Sequence, residues 1–446
     1  MTNFTLTLLG LMTLYLIGQL VVIWRFIIIL GLIDRPKNKK FFQQYLPINN
    51  SSPVNNSYYP KVTVILTIRG NDPALYNCIH GLLYQDYPNY NIKIIIDSEN
   101  DPSWPIVHQI IKNNPNHISI NISPLKQHLK TCSLKCSALI QAISELEQEC
   151  EIIAFTDSDI DIPSYWLQHL VIPLANPKIS VTTGNRWYSP TGKQWGSLVR
   201  MLWCAYHAVP FMHFLNMVWG GTFAIRKTTL DKLPILSTWN QVFSDDCSLS
   251  ALIKFYRFRV YFVPSLLMVN QEECEFTNCI NWISRQYLSF SLTLPFHWLY
   301  LFSHVLFFGS TPLLVFGMFI YGLILSDISL AFGSISLIIL YVVMMFLTFC
   351  YINHIVWWHI QSSSNLKPPL YNRITLLKIL LLQFLMPIIQ LVTFLKTALM
   401  HNVTWRGIKY RITSDRRVHL LEYTPYSSPV ISEKIKSENK GIDSIF

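Results

Sequence analysis

This chain of 446 residues is 51% hydrophobic and only 13% charged, against roughly 25% charged residues in an ordinary soluble domain. The deficit sits at the N-terminus and in the last third, which excludes a chain that is soluble throughout, while the middle reads as a normal soluble domain. The formal net charge of +10 gathers in short segments beside the apolar runs; without a dense basic stripe it suits an anionic membrane face and argues against nucleic acid.

Phe4 to Leu32 is almost uncharged, with Arg25 its one ionised side chain. It exceeds the ~20 residues that span hydrocarbon and lacks the short core and small-residue cleavage site of a signal peptide. Residues 1–33 therefore read as an anchor. Arg35, Lys37, Lys39 and Lys40 follow at once, which places the next domain in the cytosol.

Residues 58–290 read as α/β. Strands are predicted over Lys61–Ile68, Asn91–Ile96, Ile118–Ile122 and Glu151–Phe155, with helices over Pro73–Leu83, Pro105–Asn113 and Ser133–Glu149. Steady alternation argues for a parallel sheet covered on both faces. Ligands in such sheets lie beyond the carboxyl ends of the strands, where Arg69, Asp97 and Asp157 all fall. No Gly-x-Gly-x-x-Gly or Walker pattern is present, so a dinucleotide site or P-loop is not indicated.

Asp157-Ser158-Asp159 closes the fourth strand. If strand geometry continues, the two carboxylates point the same way and can hold a hard divalent cation, Mg²⁺ or Mn²⁺, which in turn holds a diphosphate. A calcium EF-hand is excluded, since Ile162 and Gln168 stand where its loop needs Gly and Glu; a solvated turn leading to Pro163 is the plain alternative. Lys135 starts a helix, where a cation can meet a phosphate or simply be solvated. Ser244-Asp245-Asp246 opens another helix. These residues suit any helix start, or Asp246 is a general base at the cleft. Gly220-Gly221 is a turn or a close ligand approach. The aromatic stretch Trp195–Trp219 is a buried helix or a surface resting on head groups.

The nine cysteines follow no metal spacing, and Cys132/Cys136 and Cys274/Cys279 lack a histidine pair. Reduced thiols in a cytosolic compartment are expected. Residues 291–412 form a membrane region, with apolar runs at Trp298–Leu325, Ile328–Ile352 and Leu376–Met400. Ser326-Asp327 makes the first two a hairpin. Three full crossings would leave the tail outside, yet the tail holds Lys396, Arg406, Lys409, Arg411, Arg416 and Arg417, which belong in the cytosol. The Pro387 segment is therefore expected to be re-entrant or interfacial, with its backbone broken at the proline and sheltered by protein; a kinked third span is the alternative. Residues 413–446 read as a polar, disordered tail.

Taken in order, these signals resemble membrane glycosyltransferases of the family 2 type, most closely the ceramide glucosyltransferase group. The resemblance covers most of residues 60–411. It rests on Ile68-Arg69-Gly70-Asn71-Asp72-Pro73, Gln85-Asp86-Tyr87-Pro88-Asn89-Tyr90, Asp101-Pro102, Lys135, Asp157-Ser158-Asp159, Asp245-Asp246 and Trp405-Arg406-Gly407-Ile408-Lys409-Tyr410-Arg411, with His207 near a histidine of the ceramide enzymes. One departure stands out: where the family carries Gln or Arg, two residues and Arg-Trp, this chain has Trp282-Ile283-Ser284-Arg285-Gln286. Arg285 is kept; loss of the tryptophan that lies by the acceptor in processive synthases counts against a polysaccharide product.

The resemblance implies a GT-A type nucleotide-sugar-binding domain with N- and C-terminal transmembrane helices. It implies an inverting single displacement from a UDP-sugar, glucose foremost, to a lipid hydroxyl of ceramide or a similar molecule. Asp246 is then the base and Arg285 a second catalytic residue. Arg69, Asp97, Asp101, Lys135 and Asp157 bind the nucleotide sugar, and Asp157 and Asp159 the metal. His207, Gly220, Gly221, Asp245, Trp405 and Arg406 lie on the acceptor side. A short polysaccharide synthase or polyprenyl-phosphate glycosyltransferase is the alternative within enzymes. A transporter or scaffold is the alternative outside them, and it would want ionisable residues in its spans.

Overall fold

A computed structural model describes residues 2–32, 58–112, 118–364, 366–413 and 415–426. Arg35, Lys37, Lys39 and Lys40, on which the orientation rests, lie outside them. The chain forms two compact units that interleave in sequence: one of residues 1–44, 185–217 and 269–400, the other of 45–184, 218–268 and 401–446.

The second unit is built on a seven-stranded sheet of order β3-β2-β1-β4-β6-β5-β7. The strands are β1 (Val62–Ile68), β2 (Tyr90–Ile96), β3 (Ile120–Pro124), β4 (Ile152–Asp157), β5 (Val181–Tyr188), β6 (Thr222–Arg226) and β7 (Val260–Asn270). β3, β2, β1 and β4 are mutually parallel, and β6 runs antiparallel to both β4 and β5. Residues on both faces of β1, β2 and β4 are buried, which is why these strands read as unbroken apolar runs rather than alternating ones. This is the mainly parallel sheet expected from the sequence. The helix predicted over Ser133–Glu149 stops early, at Ser144.

The turn Gln85–Tyr90 is a brace. Gln85 accepts from Leu167 N (2.8 Å) and donates to Gly81 O (2.7 Å) and Pro163 O (2.9 Å). Asp86 accepts from Ser164 Oγ (2.6 Å), and Tyr87 donates to Pro60 O (2.7 Å). The segment that leaves the Asp157–Asp161 turn is thereby fixed to the helix Leu75–Leu83.

Residues 413–446 depart from the disordered tail expected. Val418–Glu422 forms β10, joined to β8 (Asn402–Trp405) and β9 (Ile408–Ile412) in a three-stranded antiparallel sheet of order β10-β9-β8. Val418 and Leu420 are buried while His419 and Leu421 are exposed, the alternation of a half-buried strand. Residues 427–446 lie outside the described residues.

The first unit is helical. Thr2–Leu32 is one helix. The run Trp298–Leu325 is not one span: it divides into Pro295–His304, a π-helical turn at Val305–Gly309, and Thr311–Ile324, which Pro312 opens from its first turn. Ile328–Ser363 follows, capped by Asp327, whose Oδ1 accepts from Leu330 N (3.0 Å). Arg373–Ala398 is continuous through Pro387, so the broken backbone expected there is absent. Two helices are long and apolar enough to cross a membrane, over Ile328–Gln361 and Arg373–Ala398.

Candidate active site

Strand register brings the acidic and basic residues to one edge. Ile68 pairs with Ile96 and Thr67 with Asp157, so Arg69, Asp97 and Asp157 share the carboxyl end of the sheet. Arg69 and Asp97 form a buried ion pair. Burial raises the Asp97 pKa, against the lowering influence of Arg69, the Tyr423 hydroxyl and His128. Asp101 is consumed by local structure. Its Oδ2 accepts from Gly70 N (2.8 Å), and its Oδ1 from Ser103 N (2.9 Å) and Ser103 Oγ (2.6 Å); it positions the turn after β1.

Lys135 is the hub of a second cluster. Ser133 caps its helix, accepting from Cys136 N (3.2 Å), and Tyr410 Oη accepts from Leu134 N (3.2 Å). The Lys135 Nζ then meets Asp157 Oδ1 at 2.8 Å and Asp245 Oδ2 at 3.2 Å. Burial opposes its charge, yet Asp157, Asp245 and Asp246 together raise its pKa above that of an ordinary lysine. Asp245 is pushed up to about 6, chiefly by burial, with Lys135 opposing and Asp246 and Asp157 reinforcing.

Asp246 is held on both oxygens. Oδ2 accepts from Gly220 N (3.0 Å), and Oδ1 from Cys247 N (2.7 Å) and the Ser244 hydroxyl. Ser244 therefore holds the Asp246 carboxylate rather than capping the helix through its side chain. Gly221 O accepts from Asp157 N (3.4 Å), so the Gly220-Gly221 turn links the end of β4 to Asp246. A Cβ on Gly220 would stand 3.1 Å from an oxygen of each of Asp245 and Asp246.

β4 ends at Asp157, and Ser158 and Asp159 lie in a turn. Strand geometry does not continue, and the alternation argument for the two side chains fails. The carboxylates still concentrate: Asp159, Asp157, Asp161 and Asp72 add to burial in raising the Cys78 thiol well above its usual value. Among the described residues no group of three or more His, Cys, Asp or Glu is poised around a metal. Hard oxygen donors in a two-carboxylate set do fit Mg²⁺ or Mn²⁺ when phosphate oxygens and water complete the coordination. All nine cysteines are free thiols.

The Trp405–Arg411 element joins the same unit. β8 and β9 are joined by a two-residue turn, Arg406 (φ 45°) and Gly407 (φ 82°), both in the left-handed region such turns require. Arg406 Nη1 donates to Arg69 O (3.0 Å), Arg69 Nε donates to Arg406 O (3.0 Å), and Arg406 Nη2 lies 3.3 Å from Asp72. Trp405 and Tyr410 both pack on Phe243, each at 5.4 Å.

His207 and Arg285 belong to the first unit. His207 lies on a π-helical turn, Cys204–Ala208; Arg285 lies half-buried on the helix Phe276–Thr293. The departure residues have structural partners there. Trp282 packs edge-on to Tyr188 (5.7 Å) and Trp203 (5.4 Å), and Gln286 donates to Trp282 O (3.4 Å). His128, Tyr423 and Tyr426 escaped sequence reasoning. The period-two pattern of Val418–Glu422 was the available signal for the last two; His128, in an irregular loop, had none.

The mainly parallel sheet carries its acidic cluster at the carboxyl edge, where such sheets bind ligands. The chain belongs to glycosyl transferase family 21, whose model matches residues 37–418. Over short stretches it is similar to ceramide glucosyltransferases. It is 34% identical over 58 residues to that of Gibberella zeae (13% of this chain, 11% of the relative). It is 36% identical over 61 residues to that of Komagataella phaffii (14% and 12%). The chain thus matches no more than 13% of the length of these curated relatives. The mannosyltransferase PcManGT from Pyrobaculum calidifontis, solved in complex with GDP-Man and Mn²⁺, is similar at 13% identity and a TM-score of 0.45, over 88% of this chain and 98% of that one.

Proposed function

We propose that this protein is a membrane-bound enzyme that transfers a sugar, glucose foremost, from a UDP-sugar to a hydroxyl of ceramide or a similar lipid, with inversion. The observation that carries it is the Lys135–Asp157–Asp245–Asp246 cluster at the carboxyl edge of the parallel sheet, where such sheets bind ligands. Family membership and the ceramide glucosyltransferase relatives favour the donor and acceptor classes.

In this reading Asp97 and Arg69 face the nucleoside, and Asp157 and Asp159 hold Mg²⁺ or Mn²⁺, which when bound supplies charge neutralisation to the leaving diphosphate. Lys135 adds a fixed positive charge beside Asp157. Asp246, its carboxylate oriented by Gly220 and Ser244, takes the proton of the acceptor hydroxyl as the oxygen attacks the anomeric carbon. UDP departs from the opposite face. The catalytic domain faces the cytosol.

Replacing Asp246 by Asn keeps the shape and removes the base. Transfer of labelled glucose from UDP-glucose to membrane lipid is expected to fall by about 10²–10⁴-fold, with UDP affinity unchanged by calorimetry. Full activity in Asp246→Asn would exclude it as base. Mass spectrometry of the labelled product separates one sugar on a two-chain lipid from a polymer or a polyprenyl phosphate.

A further inference from the structure

Residues 423–426 close over the carboxyl ends of β1 and β2. Arg69 Nη2 donates to Thr424 O (2.7 Å), and the Tyr423 hydroxyl donates to Asp97 Oδ2 (2.9 Å). The Tyr423 ring stacks on His128 with centroids 3.8 Å apart and planes within 16°. The Arg69 guanidinium lies 5.6 Å from the Tyr423 ring centre and 5.7 Å from that of Tyr426. Tyr426 comes so close to Gly70 that a Cβ there would stand 2.3 Å from Cζ. Gly70 also has φ +80°, so glycine alone admits both the turn and the ring.

Tyr423 leaves this place incompletely satisfied. Asp97 is 4% exposed, yet its Oδ1 has no hydrogen-bond partner, and neither has the buried Nε2 of His128. Buried polar atoms without partners are rare in native proteins and call for an explanation. What Tyr423 presents is a flat ring with one hydrogen-bond donor at its edge, aimed at a carboxylate. A uracil presents a flat ring too, but its edge carries an N–H between two carbonyls. It can donate to Asp97 through that N–H while its face stacks on the His128 ring as the phenol does.

The anchoring of the segment fits an exchangeable element. β10 is held by its ladder with β9 and by Leu420 N to Lys130 O (2.8 Å). Beyond Glu422, among the described residues, the hydrogen bonds to the strand ends are those of Tyr423 and Thr424, made to the very side chains, Asp97 and Arg69, proposed above to face the nucleoside.

We propose that Tyr423 sits in the seat of the nucleobase, making residues 423–426 a strap that the donor must displace, its base taking over the His128 face and the Asp97 carboxylate. This rests on the nucleotide-sugar reading above. A site closed for part of the time binds more weakly by its open fraction.

The test is calorimetric titration of UDP alone into the full-length protein in detergent with Mg²⁺. Tyr423→Ala is expected to bind UDP about tenfold more tightly than wild type, as when about one molecule in ten is open. Tyr423→Phe, which keeps the ring and loses the donor, should fall between them. In the wild type, UDP should speed hydrogen exchange at the amides of Tyr423 and Thr424, a readout that needs no variant to fold. Weaker or unchanged UDP binding by Tyr423→Ala, or slower exchange with UDP, overturns the strap and leaves the nucleotide reading standing. Absence of UDP binding in both wild type and Tyr423→Ala overturns the nucleotide reading and the strap with it.

Discussion

Lys135 carries one positive charge among three carboxylates, and the most buried of them bears the cost. Asp245 is 3% exposed and its pKa is about 6, against an ordinary 3.8. A folded-state pKa above the unfolded one means the folded protein binds that proton more tightly. The resulting stability is complete below about pH 4 and is lost as pH rises through about 6. A shift of this size corresponds to about 3 kcal/mol. Thermal melts of Asp245→Asn in detergent should therefore show a flatter dependence between pH 4 and 6 than the wild type; an unchanged slope would move the titration elsewhere. At this scale the gathering of charged residues at one sheet edge was legible. Arg69, Asp97 and Asp157 are polar residues that terminate apolar strands, and their sequence positions alone put them at one edge. Asp101 fastens its own turn, and such a carboxylate has the same sequence appearance as one that binds a ligand.

At the scale of elements, the turn Trp219–Thr222 does more than reverse the chain. It donates Gly220 N to Asp246 and accepts from Asp157 N through Gly221 O, so the proposed base and the proposed metal carboxylate are fixed by one piece of backbone. Gly220→Ala puts a methyl 3.1 Å from oxygens of Asp245 and Asp246, and Asp246 must shift by tenths of an ångström. Reacting geometry is sensitive to displacements of that order. The expected outcome is a kcat lower by about tenfold with UDP affinity unchanged; a rise in KM alone would assign Gly220 to acceptor contact. The four parallel strands were visible as buried apolar runs. β10 was not, because five residues with two buried side chains differ little from a polar tail.

For the whole molecule, chain topology bears on membrane topology. Residues 401–426 belong to the same unit as the seven-stranded sheet, tied by Arg406 to Arg69 and by Tyr410 to Leu134. A chain that leaves this unit and returns to it crosses a membrane an even number of times between. Crossing by both helices that are long and apolar enough, Ile328–Gln361 and Arg373–Ala398, would make that number even. The buried Gln383, Gln390 and Thr393 of the second suit a helix that faces protein. Cysteines introduced at Lys409 and at Glu149, in a background lacking exposed Cys350, should react from the same side of intact vesicles. Reaction from opposite sides would leave one of the two long helices as a span and the other not.

By itself the sequence determined the α/β class, the apolar segments and the edge where the acids gather. Those follow from local periodicity and from which residues end a strand. Only the tertiary structure decided that Asp159 lies in a turn, that Pro387 leaves its helix continuous, and that Tyr423 folds over Asp97. Those outcomes depend on partners far apart in sequence, 337 residues between Arg69 and Arg406 and 326 between Asp97 and Tyr423, and no local pattern encodes which distant side chain will fill a given polar seat.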